Sequence, residues 1–327
     1  MPSALVGIAF LALAVLATSA FMWIMRFSQE RGYSVLAVGG ANYLTAAAAA
    51  VLLTSSRDLH ALPLPLWLLA AASGVGFVLT YLLLIPALRR HGVAVPTAAV
   101  QISMVVPVFL APLLWTERLG PGQLLGVAVS VLAIALLVPH SDGRTEPPSR
   151  WGWLLVPGIF ALSGGTRTAQ KMIAVSAAGP GELALAFVWF GAAALFSIAL
   201  MTCTRWPAHR GEWLAGLCLG LVNLGSLLSL VRALTYIPAT IAFPSLSCLG
   251  LAVTTAGAFI FWKERPTRRA GLGIAIGLLA VLLVGRACKA AACPTPAPTP
   301  SRASGPSPPP RLATGAEGIM ASLKHFP

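Results

Sequence analysis

Charge is scarce in this sequence, and acids are scarcer than bases. Charged residues make up 9% of the 327 positions, and Asp and Glu together number nine. A soluble domain carries about 25% charged residues, so an ordinary water-soluble fold is excluded. The acids also avoid the apolar runs. Glu30, Asp58, Glu117, Asp142, Glu146, Glu182, Glu212, Glu264 and Glu317 lie near run ends, in loops or in the tail. A carboxylate at membrane depth is the usual trap for an organic cation and the usual proton carrier. Its absence disfavours proton-coupled antiport of cationic drugs.

Other absences narrow the chemistry. The five cysteines all fall in the second half, without a CxxC pair or a Cys/His cluster, so neither a disulfide framework nor a zinc site is indicated. His60, His91, His140, His209 and His325 sit in loops, at run ends or in the tail, and no acid joins them. An embedded enzyme needs a nucleophile with its base, or a metal cluster; no catalytic residue, metal or cofactor is expected. The net charge of +13 comes from cations scattered over short loops and the tail. Nucleic-acid binding needs them gathered in a stripe or patch, so nucleic acid is not an expected partner, whereas basic loops suit membrane proteins.

What remains is apolar surface. Hydrophobic residues make up 57% of the chain, and the mean hydropathy is +0.83. In hydrocarbon every backbone polar group must be satisfied internally, which leaves helices. At about 20 residues per crossing, the runs 4–25, 35–54, 66–84, 93–115, 122–138, 151–173, 182–201, 213–231, 239–262 and 270–284 predict an all-α membrane protein of about ten spans. The first run is longer than a secretory signal core and no positive charge precedes it, so it is read as retained.

The chain repeats itself. Trp115-Thr116-Glu117-Arg118 returns as Trp262-Lys263-Glu264-Arg265, and Leu125-Gly126-Val127-Ala128 returns as Leu272-Gly273-Ile274-Ala275. Upstream, Ala87-Leu88 pairs with Ala233-Leu234. An odd number of helices per copy inverts one half against the other across the bilayer, as in many secondary transporters. The expected organisation is a five-helix repeat over 1–140, a polar linker over 141–150, a second repeat over 151–287 and a Pro-rich disordered tail over 288–327.

These residues, with Pro107-Val108, Gln123-Leu124 and Tyr236-Ile237-Pro238-Ala239, make the chain resemble the EamA-like branch of the drug/metabolite transporter superfamily. The second copy departs from the first: it carries Pro244 earlier instead of a match to Pro107, and Pro266 in place of Leu119. The resemblance implies ten helices, alternating access and small-metabolite substrates.

Candidate residues carry two readings each. Glu117 and Glu264 precede a helix start, where a carboxylate meets the helix dipole; they brace a hairpin or act as a gate. Gly126 and Gly273, with Gly122, Ser130 and Gly277, form small-residue faces that suit helix packing. Arg167 and Lys171 lie one turn apart in the sixth run; they snorkel to headgroups or line a cavity that attracts a carboxylate or phosphate. Arg26 invites the same two readings, and Arg232 reads as an interface anchor. Thr97 and Gln101 share a face of the fourth run, Thr240, Ser247 and Thr254 a face of the ninth, and Asn42 and Asn223 sit within the second and eighth. They line a cavity or bond between helices. Tyr81, Trp189 and Phe190 supply an aromatic wall or face lipid. The prolines of the fourth and ninth runs are pivots or static bends.

A transporter of small amino-acid-like, zwitterionic or anionic solutes in a bacterial inner membrane accounts best for this set. A flippase for a lipid-linked phosphate or sugar carrier is the rival reading. The expected partners are a small-molecule substrate and the bilayer, with a monomer among the open oligomeric states. The family implies cytoplasmic termini. The Lys and Arg count, richer in the loops after odd-numbered runs, points the other way.

Overall fold

A computed structural model describes residues 2–55, 63–91, 94–115, 117, 119–137, 150–176, 181–204, 209–263 and 268–290. The linker over 141–149, Glu264 and the tail from 291 onward lie outside the described residues. Eleven α-helices follow among the described residues: α1 (Pro2–Glu30), α2 (Val35–Leu53), α3 (Leu64–His91), α4 (Ala94–Ile102), α5 (Val105–Trp115), α6 (Pro121–Leu137), α7 (Arg150–Ser176), α8 (Gly181–Thr204), α9 (Arg210–Tyr236), α10 (Ala239–Trp262) and α11 (Arg268–Ala290). Six described helices (α1, α2, α3, α8, α9 and α10), and the stretch Ala98–Trp115 that α4 and α5 share, are long and apolar enough to cross a membrane, and α6 and α11 carry shorter apolar stretches. α7 has the length, but Ser163, Thr166, Arg167, Gln170 and Lys171 dilute it. Large side chains such as Leu52, Leu113 and Leu195 point outward unburied; hydrocarbon around the bundle accepts them at no cost. This is an integral membrane protein.

Local chemistry sets the ends. Gly32 closes α1 in the left-handed region at φ 71°, a conformation open to glycine without steric penalty. Ser34 caps α2. Pro121 opens α6 at a position whose N–H has no partner to lose. The fourth apolar run is two helices, not one, because Pro107 has no N–H for the carbonyl of Ser103 and its ring crowds that carbonyl. Ser103 O accepts instead from Val106 N at 3.0 Å, and the chain turns at Ser103-Met104. Pro86, Pro112, Pro157 and Pro244, by contrast, stay inside continuous helices.

The helices pack as a bundle in which α1 lies on α9 and α10, α2 on α8 and α9, α3 on α7 and α8, and α6 on α11. Gly126 and Ser130 on α6, and Gly273 and Gly277 on α11, are buried. Backbones approach closely at Gly74, where a Cβ would overlap the Trp189 carbonyl of α8. The main core runs through α2, α8, α9 and α10 and includes Tyr43, Trp189, Phe190 and Phe243.

Candidate functional site

Arg167 stands one turn beyond the middle of α7, and helical side chains lean back toward the N-terminus. Its guanidinium donates to Gln101 Oε1 of α4 at 3.4 Å and to Ser247 Oγ of α10 at 3.5 Å. Both acceptors are neutral, and among the described residues no carboxylate pairs with it. One turn earlier on α7, the Ser163 hydroxyl is buried without a hydrogen-bond partner. A half-buried cation held only by long bonds to neutral oxygens retains capacity for an anion. Thr97 lies one turn before Gln101 on α4; its side chain is outside the described set.

Lys171, one turn further along, has a different role from its neighbour. It is 5% exposed and reaches Glu117 Oε1 at 3.0 Å, so it neither snorkels nor stands free in a cavity. Its Nζ also donates to the Leu234 carbonyl at 3.0 Å. That carbonyl would ordinarily accept from residue 238, which is Pro238 and has no N–H. Glu117 in turn accepts from Ala239 N, the first amide of α10, at 3.1 and 3.3 Å. The hairpin brace expected of Glu117 is therefore a cap on a helix 122 residues away. The start of α6 is capped by Gln123, whose Oε1 accepts from Gly120 N at 3.0 Å.

The remaining candidates separate from Arg167. Asn223 of α9 donates to Asn42 of α2 at 3.3 Å, and Thr18 meets Ser226 one turn away at 2.8 Å. Asn42 also lines a water-sized cleft of about 30 Å³ with Tyr43, Tyr81 and Ser197. Beside it, Tyr43, Phe77, Tyr81, Trp189 and Phe190 pack ring to ring. Trp189 and Phe190 are each 1% exposed, so they face the interior and not lipid. Thr80 and Ser130 bond carbonyls of their own helices. Thr240 is buried with its hydroxyl unpartnered. Gly126 and Gly273 are buried on α6 and α11, which pack against each other.

Other ionic residues serve helix ends. Arg232 pairs with Glu182 at 2.7 Å. Arg26 lies 4.5 Å from the Trp262 ring centroid and meets Glu30 at 3.4 Å. Glu212, missed as a structural residue by sequence reasoning, accepts from His209 N and from Ser34 N at 2.8 Å each. It ties together the starts of α9 and α2. Its spacing three residues after the cap position was the available signal; its second bond, to Ser34, had none.

The EamA-like transporter family model matches the chain twice, over residues 5–139 and 150–286. An uncharacterized protein of Haemophilus influenzae is 25% identical over 208 residues, which span 62% of this chain and 69% of that protein. A solved crystal structure of a protein superposes with a TM-score of 0.69 at 15% identity, covering 89% of this chain and 98% of that one; the likeness is one of fold. The two family matches take in both apolar halves, including Glu117, Arg167 and Lys171, and this chain belongs to the EamA-like transporter family.

Proposed function

We propose that this protein is a secondary transporter of small zwitterionic or anionic metabolites, working by alternating access about a site at Arg167 in a bacterial inner membrane. The observation that carries the reading is the Arg167 contact set. The side chain comes from α7, its acceptors from α4 and α10, and both acceptors are neutral. Burying a cation without an anion is costly, and a bound carboxylate or phosphate relieves that cost. The acids point the same way. Glu117, Glu182 and Glu212 are occupied by a cation or by helix-start amides, which leaves them unavailable to an organic cation.

The pairing of helices supports ten crossings in two inverted halves, with α4 and α5 together forming one crossing. The α1–α9 contact has its counterpart in α7–α3, and α2–α9 in α8–α3, while α2–α8 and α6–α11 join corresponding members of the two halves. A two-fold relation between the copies produces that pattern, and an odd number of crossings per copy makes the relation an inverted one. The test is uptake by proteoliposomes of amino acids, sugars and organic anions, with and without a proton gradient. Zwitterionic or anionic solutes should be carried. Tight binding of a permanent organic cation would contradict the charge preference.

A further inference from the structure

Two residues of extended backbone separate α9 from α10. Ile237 has φ −122° and ψ 134°, and Pro238 has φ −56° and ψ 147°. This corner cannot satisfy its own backbone. Pro238 supplies no N–H to Leu234 O, and the first amide of a helix has no intrahelical acceptor. Both groups are instead served by one ion pair, Lys171 on the carbonyl and Glu117 on the Ala239 amide. Glu117 comes from the α5–α6 junction, Lys171 from α7, and the corner from between α9 and α10. The pair therefore holds segments of both family matches together at one point.

Its position relative to Arg167 follows from helix geometry. Lys171 is four residues further along α7, about 6 Å along the axis, on the way to the helix end at Ser176. The ion pair thus lies between the Arg167 site and one face of the membrane. In this structure it is shut, with the Lys171 side chain 6% and the Glu117 side chain 16% exposed.

A buried ion pair suits a contact that must open. The Coulomb attraction of such a pair is largely offset by the desolvation of its two ions, so parting them into water costs little net free energy. An apolar plug would lose its whole burial term on opening. We propose that Lys171 and Glu117 form a clasp that closes the Arg167 site on the side of the α9–α10 corner, and that the clasp releases Leu234 O and Ala239 N–H to water when that side opens. The proposal rests on the alternating-access reading above.

The backbone partners make the clasp polar in a way an ordinary salt bridge is not. Position 171 must donate, because it faces a carbonyl, and position 117 must accept, because it faces an amide. Reversing the charges therefore fails to restore it. The reporter is a Thr240→Cys substitution, at a site 1% exposed beside the corner. Its thiol is labelled in the full-length protein by a membrane-impermeant maleimide and read by peptide mass spectrometry, with exposed Cys203, at the end of α8, as the internal reference. The double variant Lys171→Ala/Glu117→Gln leaves no buried unpaired charge and puts no apolar plug in the clasp, and its amide oxygen can still cap Ala239. An open state populated at about 1% leaves ample room to rise, so this variant should label the reporter thiol about tenfold faster than the parent. The reversed variant Lys171→Glu/Glu117→Lys should label at least as fast. An unchanged rate in the double variant, recovered folded, overturns the clasp in favour of a static brace. Parent-like protection in the reversed variant overturns the role of the backbone partners. Labelling needs no substrate, so a failed uptake screen and a failed clasp are told apart.

Discussion

Replacing Arg167 with Gln separates a binding residue from a structural one. The two hydrogen bonds lost measure 3.4 and 3.5 Å, at the long end for such contacts, and both acceptors are neutral. Together they contribute at most about 1 kcal/mol. Against them stands the desolvation of a cation, an effective cost of about several kcal/mol once buried, reduced here because Arg167 is only half-buried. The balance leaves Arg167→Gln within about 1 kcal/mol of the parent in unfolding free energy, or above it. Substrate binding behaves oppositely. A charge-assisted hydrogen bond to a carboxylate is worth about 1.5–3 kcal/mol, and each 1.4 kcal/mol is about tenfold in affinity. Losing the guanidinium should weaken an anionic or zwitterionic solute by about 10- to 100-fold. The assay pairs reversible unfolding in mixed micelles with uptake by proteoliposomes at equal insertion. A variant destabilised by more than about 2 kcal/mol while its uptake affinity is unchanged would refute the reasoning and return Arg167 to a structural role.

Two further outcomes are expected. Gly74→Val drives a side chain into the Trp189 carbonyl between α3 and α8 and should cost at least about 1–3 kcal/mol, seen as a lower thermal midpoint in detergent; Gly39→Ala, with open space around it, should change the midpoint little. Removing residues 291–327, a stretch rich in Pro, Ser, Thr and Ala with little apolar surface to bury, should leave insertion and uptake intact. A misfolded product at equal synthesis would count against that reading of the tail.

Much of the fold was legible because hydrocarbon imposes a simple rule. Long apolar runs must be helices, and Pro121 suits the first turn of one of them, where its missing N–H costs nothing. The duplicated Trp-x-Glu-Arg and Leu-Gly-x-Ala segments pointed to a two-copy chain before any contact was known, and the family model matches twice. The break of the fourth run at Ser103-Met104 was foreshadowed by Pro107, since a missing N–H is a local property. Individual site residues were legible as residue types only. Arg167 and Lys171 look alike in sequence, each a cation on the same face of one helix.

Which of the two is held by an anion depends on what comes from more than 50 residues away: Gln101 and Ser247 for Arg167, Glu117 and Leu234 for Lys171. The sequence by itself determined the helices, their ends and the scarcity of acids at their centres, because helix formation in lipid is settled by local composition and backbone hydrogen bonding. Only the tertiary structure decided which buried charge is paired. Pairing is set by distances between helices, and no period or motif along a single helix encodes them.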